Sequence, residues 1–181
     1  MDILNTKFSS AKVFVPNVYR DSRGYFLESF NRVIDDTINV KFVQDNHSSS
    51  KKYVLRGLHY QWDEPMGKLV RVIKGRGVDV MVDIRKDSNT YGQYDMVELS
   101  DSNFNIVWVP PGFAHGFLSL EDDTQLVYKT TAYYNPEADG SINPLCNNLD
   151  INWGIPHDEI ILSEKDKLAQ TFSEYKLSPK F

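Results

Sequence analysis

An imidazole, an ammonium and a guanidinium lie close together on segments rich in β-forming residues. His59 sits in Arg56-Gly57-Leu58-His59-Tyr60-Gln61, and Gly67-Lys68-Leu69-Val70-Arg71-Val72 follows shortly after. Imidazole is the usual general base near neutral pH. A lysine beside it can neutralise the oxyanion formed when that base removes a carbon-bound proton. An arginine beside both can hold a phosphate through paired hydrogen bonds. These residue types point to proton transfer at carbon on a phosphate-bearing ligand.

Short β-rich runs must position them. Candidate strands are 41–44, 53–61, 69–74, 77–85, 94–99, 106–109, 116–120 and 124–130. Within one of these, Val78, Val80, Val82 and Ile84 alternate with Asp79, Met81, Asp83 and Arg85, the period of a strand. Turn-forming breaks fall at Lys74-Gly75-Arg76-Gly77, Asp87-Ser88-Asn89, Ser100-Asp101-Ser102-Asn103 and Pro110-Pro111-Gly112. Helix is expected only near Asn31–Ile38 and after Ser163, where Ser163-Glu164-Lys165-Asp166 resembles a capping box. Regularly spaced strands without long helical patterns indicate a sandwich or barrel. The expectation is one all-β domain over residues 1–181, a jelly roll whose two sheets enclose a ligand cavity, with short helices outside.

Composition limits the partners. A net charge of −5 gives the surface as a whole no pull on nucleic acid or an anionic membrane, so an anionic ligand must be held by a local basic cluster. The lone cysteine, Cys146, excludes an intrachain disulfide and fits a reducing compartment. No stretch approaches the roughly 18 apolar residues of a membrane span. The first residues lack the order of a signal peptide, so the cytoplasm is expected.

Several motifs resemble one family. They are Asp21-Ser22-Arg23-Gly24-Tyr25-Phe26-Leu27-Glu28-Ser29-Phe30, Lys41-Phe42-Val43-Gln44-Asp45-Asn46-His47-Ser48, and Val54-Leu55-Arg56-Gly57-Leu58-His59-Tyr60-Gln61 with Gly67-Lys68 behind it. Pro110-Pro111-Gly112-Phe113-Ala114-His115-Gly116-Phe117, Tyr128-Lys129-Thr130-Thr131-Ala132-Tyr133-Tyr134 and Leu162-Ser163-Glu164-Lys165-Asp166 complete the set. Their order and spacing resemble the dTDP-4-dehydrorhamnose 3,5-epimerases, cupin-type jelly rolls (double-stranded β-helices). The resemblance runs from about Val13 to Asp166. It implies an isomerase acting on a nucleotide diphosphate sugar that carries a C4 ketone, with no cofactor and no metal, and it implies a homodimer.

The resemblance also distributes roles. His59 would be the base, Asp166 the carboxylate that pairs with it, Tyr128 the proton donor on the opposite face and Lys68 the enolate stabiliser, a cation that would also favour the phenolate of Tyr128. Arg23, Arg56, His115 and Lys165 would surround the sugar and diphosphate. Gln44, Asp45 and Asn46 would line the pocket, and Asp139 a nearby polar contact. Glu28 and Tyr134 would meet the nucleotide end, with strand alternation separating Tyr134 from Tyr133.

The chain also departs from the family pattern. Asp139 stands where Glu is common, the segment 141–150 lacks an expected tryptophan and acidic pair, and Gly154 follows Trp153 where proline is usual. A GDP-linked 4-keto-heptose therefore stays open as a substrate, and so does a single-centre epimerase, acting at C3 or C5, because it would need the same base and nearly the same pocket. A non-catalytic sugar-nucleotide binding cupin would be expected to lose the base or the acid, and this chain keeps both. A metal-dependent cupin needs a second histidine, and Gln61 occupies that place.

Overall fold

β-Branched and aromatic residues separated by turns give thirteen strands, and the computed structural model describes residues 1–181. They are β1 (Asp2–Asn5), β2 (Lys12–Val15), β3 (Val18–Asp21) and β4 (Gly24–Leu27), then helix α1 (Arg32–Ile38), then β5 (Gln44–Ser50), β6 (Leu55–Gln61), β7 (Lys68–Lys74), β8 (Arg76–Asp83), β9 (Tyr94–Ser100), β10 (Ile106–Val109), β11 (Phe113–Ser119), β12 (Thr124–Thr130) and β13 (Asp139–Ser141). Helices α2 (Glu164–Lys167) and α3 (Phe172–Tyr175) follow. One sheet runs β1-β2-β10-β7-β12-β5 and the other β13-β6-β11-β8-β9, all in antiparallel pairs. The β3–β4 hairpin pairs with neither.

Alternation sorts side chains into three apolar layers. Val70 and Val72 from one sheet meet Met81, Phe113 and Phe117 from the other, filling the space between the sheets. Val80 and Val82 on the other face of β8, with Ile84 just beyond its end, pack outward against Ile142, Leu149, Trp153, Phe172 and Tyr175 of the C-terminal segment. Ile34 of α1 covers Leu69, Ile106 and Trp108 on the outside of the first sheet. This is the two-sheet sandwich with external helices that the sequence indicates. No helix is long and apolar enough to cross a membrane.

Differences from the sequence reading have local causes. The strand expected at 41–44 instead spans Gln44–Ser50. It is an edge strand with one face on a polar cavity, so its Asn, His and Ser residues read as a turn. Asp79, which the alternation suggests as a solvent-facing residue, is fully buried because both faces of β8 are covered. Of the four N-terminal strands, β1, β3 and β4 carry no buried residue, and β2 buries the adjacent Val13 and Phe14, so none shows a period. Asn31 caps α1 through its side chain, which accepts from the amides of Val33 and Ile34. The segment 141–150 and Trp153 lie behind the second sheet, where Ile142, Cys146, Leu149 and Trp153 are core.

Candidate active site

Strand parity aims most of the chemistry into one cavity. Lys68 shares a face of β7 with interior Val70 and Val72, Tyr128 shares one of β12 with Leu126, and His115 shares one of β11 with Phe113 and Phe117. Parity alone would put Arg56 and His59 on opposite faces of β6. They face the same way because the pairing to β11 slips: His115 lies opposite His59, but Phe117 opposite Arg56, leaving one extra residue on β6. The bulge falls at Gly57 (φ 137°), where a Cβ would stand 2.5 Å from Gly116 Cα and 2.8 Å from the His115 carbonyl oxygen. Glycine is required there by conformation and by space.

The resulting cavity, of about 490 Å³, is bordered by His59, Lys68, His115, Tyr128, Arg56 and Asp166 among others. His59, Lys68, Tyr128 and Lys165 also border an adjoining polar chamber of about 430 Å³ with Gln44, Asn46, Tyr134 and Asp139. His59 and Tyr128 stand on opposing sheets. His59 Nε2 donates to Asp166 Oδ1 at 2.6 Å, which leaves Nδ1 free to accept a proton. Burial alone would raise the Asp166 carboxyl. Hydrogen bonds from His59, Ser163 and the Gly57 amide outweigh it and hold the group below its ordinary value. Ser163 Oγ caps α2 by accepting the Asp166 amide while donating to Asp166 Oδ2 at 2.8 Å. Asp166 is thus both part of a helix start and the partner of His59. The pairing differs from a capping box, whose acid returns to the N-cap amide.

Half-buried Lys68 is pushed down to about 8 by desolvation, against the raising charges of Asp79 and Asp139. Burial raises Tyr128, offset in part by a hydrogen bond from Asn46 and the charge of Arg56. The cation that favours the phenolate is therefore Arg56, where the sequence reading expects Lys68. Arg56 donates to Ser50 Oγ and to the Ser49 carbonyl, both at 3.1 Å. Lys165 forms an ion pair with Asp139, whose Oδ2 also accepts from the Tyr134 hydroxyl at 3.0 Å. Tyr133 and Tyr134 both lie beyond the end of β12, so a loop rather than strand alternation separates them. Only Tyr134 of the two borders the chamber.

Three expected residues are not brought to the cavity within this chain. Asp45 points to the opposite face of β5 from Gln44 and Asn46 and bonds Lys129 at 2.8 Å. Arg23 is exposed on the β3–β4 hairpin, paired to Asp21 at 2.6 Å, and Glu28 bonds Asn31 at 2.8 Å.

Sequence reasoning missed Gly57, Ser163 and Asp79, and the apolar wall of Leu55, Phe117 and Leu126. A glycine inside a strand run was the available signal for the bulge. Gln61 spends its amide on backbone: Nε2 donates to the carbonyls of Glu64 and Tyr133, and Oε1 accepts the Asn135 amide.

The chain matches the family model described as dTDP-4-dehydrorhamnose 3,5-epimerase over residues 5–174. It is 47% identical over 167 residues to the dTDP-4-dehydrorhamnose 3,5-epimerase of Methanothermobacter thermautotrophicus, covering 91% of this chain and 90% of that one. The crystal structure of a dTDP-6-deoxy-D-glucose-3,5-epimerase from Legionella pneumophila, in complex with dTDP-4-keto-L-rhamnose, aligns with TM-score 0.92 at 42% identity, covering 99% and 98% of the two chains. A 3'-monoepimerase from Streptomyces bikiniensis, in complex with dTDP-quinovose, aligns with TM-score 0.87 at 31% identity, covering 93% and 86%.

Proposed function

The chain belongs to the dTDP-4-dehydrorhamnose 3,5-epimerase family of cupin jelly rolls, and from that premise we propose that it inverts both C3 and C5 of a dTDP-linked 4-keto-6-deoxyhexose, converting dTDP-4-dehydro-6-deoxyglucose into dTDP-4-dehydrorhamnose. The C4 ketone acidifies the hydrogens on both neighbouring carbons. His59 removes one as a proton, the electron pair moves onto the C4 oxygen, and Lys68 donates to the enolate so formed. Tyr128 returns a proton to the opposite face of the carbon. Solvent then reprotonates the phenolate and takes the proton from His59, and a second round inverts the other centre. Carbon is neither oxidised nor reduced, so the chemistry calls for no electron carrier.

One observation carries this reading: two proton carriers stand on opposing sheets around a shared cavity, with Lys68 beside them. Asp166 holds the ring of His59 in one orientation and tautomer through the bond at Nε2. Burial keeps Tyr128 protonated at neutral pH, the state a proton donor needs. A positioned base of this kind contributes roughly 10²–10⁴-fold, and an oxyanion donor about 10²–10³-fold. Arg56 and Lys165 would meet the diphosphate, and Gln44, Asn46 and Tyr134 the nucleotide end.

The reading includes a homodimer that works in the cytoplasm. Arg23 and Glu28 have the roles of ligand contacts but lie on an arm that pairs only with itself and exposes Tyr19, Tyr25 and Phe26. A second copy receiving that arm would bring both residues to its cavity.

Incubating the protein with dTDP-4-dehydro-6-deoxyglucose and following the sugar ring by proton NMR tests the function. The expected product has both centres inverted. Unchanged substrate, together with turnover of a GDP-linked 4-keto-heptose, would move the substrate class. Inversion at one centre alone would place the chain with the monoepimerases.

A further inference from the structure

Gln61 is 5% exposed and stands two residues along β6 from His59, bordering the polar chamber that Tyr134 also borders. Its amide is engaged in one orientation. Nε2 donates to the Glu64 carbonyl at 2.9 Å and to the Tyr133 carbonyl at 3.1 Å, and Oε1 accepts the Asn135 amide at 2.9 Å. Two carbonyls call for two N–H donors and a backbone amide calls for an acceptor, so a flipped side chain would lose all three bonds. Glutamine supplies that set, whereas an ionised glutamate has no donor and a neutral histidine has one.

What Gln61 grips on the far loop is specific. The Tyr133 carbonyl and the Asn135 N–H belong to the two peptide units that bracket Tyr134. The Tyr134 amide itself donates to Gln44 Oε1 in a longer bond, at 3.4 Å, and its hydroxyl donates to Asp139 Oδ2 at 3.0 Å. Beyond it, the Asn135 side chain accepts the Glu137 amide and starts the 3-10 turn Pro136–Ala138, which leads to Asp139, the partner of Gln61 in the β13–β6 pairing. A tyrosine on an irregular surface loop is ordinarily mobile. Tyr134 is held at its backbone and at its hydroxyl, yet 57% of its surface is open. An open ring gains little from packing, so its order prepares it for a partner outside the chain.

We propose that Gln61 is a positioning residue for the nucleotide: it clamps the peptide units on either side of Tyr134, so that the exposed ring stands ordered as a stacking platform for the base. This rests on the reading of Tyr134 as a contact at the nucleotide end. Stacking of a base on an aromatic side chain corresponds to about 5–150-fold in affinity. Part of that is lost when the ring must be ordered by the ligand itself. His59 and Gln61 lie on one face of one strand. Proton transfer and the grip on the nucleotide thus share a single rigid element.

A double-mutant cycle on the affinity for dTDP, measured by calorimetry, tests this. It compares the native chain, Gln61→Met, Tyr134→Ala and the double variant. Methionine has nearly the length and volume of glutamine and makes none of the three bonds. Gln61→Met is expected to weaken dTDP binding about fivefold or more when Tyr134 is present, and to have no effect once Tyr134 is alanine. A loss that persists in the Tyr134→Ala background would make Gln61 a support of the fold alone and overturn the proposal. Unchanged binding in Gln61→Met, or in Tyr134→Ala, overturns it as well. Hydrogen exchange in the native chain keeps the test decisive if Gln61→Met does not fold. The Asn135 amide, bonded to the Gln61 side chain, is expected to exchange more slowly than a free amide, and exchange at the free rate would overturn the clamp. Because the probe is dTDP alone, failure here is distinct from failure of the epimerase reading, which would appear as a native chain inert towards 4-keto sugars.

Discussion

Arg56 and His59, three positions apart on β6, face the same cavity because the strand bulges at Gly57 between them. In a regular strand one of the two would point into the C-terminal layer that holds Leu58 and Tyr60. The bulge is what lets a guanidinium and an imidazole border one cavity.

Gly57→Ala is accordingly expected to damage stability and catalysis together. The new methyl meets Gly116 Cα and the His115 carbonyl, both backbone and unable to rotate away. A cost of about 2 kcal/mol or more is expected from strain and overpacking. Denaturant melts compared with the native chain check this, and native-like stability would contradict the account of the bulge.

Asp166→Asn is expected to lower kcat by about 10²–10⁴-fold with little change in KM. The carboxylate fixes the tautomer and the orientation of the His59 ring, and neither function needs direct contact with substrate. Steady-state kinetics at saturating substrate separates the two parameters. A rise in KM with kcat intact would instead make Asp166 a binding residue.

The pH profile should show Lys68. With its value pushed down to about 8, the ammonium is present below that pH and lost as pH rises through it, so turnover is expected to decline across pH 8. In Lys68→Met that limb should vanish, with a turnover about 10²–10³-fold below native at pH 7. A profile flat to pH 10 in the native chain would remove Lys68 from the chemistry.

Mixing two inactive chains tests the arm. Arg23→Ala lacks the arm cation and His59→Ala lacks the base. If the hairpin serves a neighbouring copy, exchanging subunits between the two variants creates some sites with both residues intact, and activity is expected to reappear. Mixtures as inactive as either parent would assign Arg23 to its own chain or to no site.

The sequence made most of this site legible because its motifs are short and lie within strands. His59, Lys68, His115 and Tyr128 each keep the parity their strand dictates once a bulge is allowed for, and Asn31 and Ser163 announce the two helices they cap. Asp45 misled because a motif does not say which of two alternating residues faces inward. Asp79 was hidden because an acid in an alternating strand ordinarily faces water, and only the C-terminal segment folded over the far face of β8 shows that this one cannot. Arg23 and Glu28 were legible as chemistry but not as geometry, since the hairpin that carries or adjoins them pairs with neither sheet.

The central claim is proton transfer at two carbons across two faces, and isotope exchange from solvent measures it most directly. dTDP-4-dehydro-6-deoxyglucose incubated with the native protein in heavy water is expected to gain deuterium at both C3 and C5, with both centres inverted. Tyr128→Phe, which keeps the base and lacks the opposite donor, is expected to retain exchange while losing inversion. Deuterium at neither carbon in the native reaction, across dTDP-, CDP-, UDP- and GDP-linked 4-keto sugars, would contradict the account.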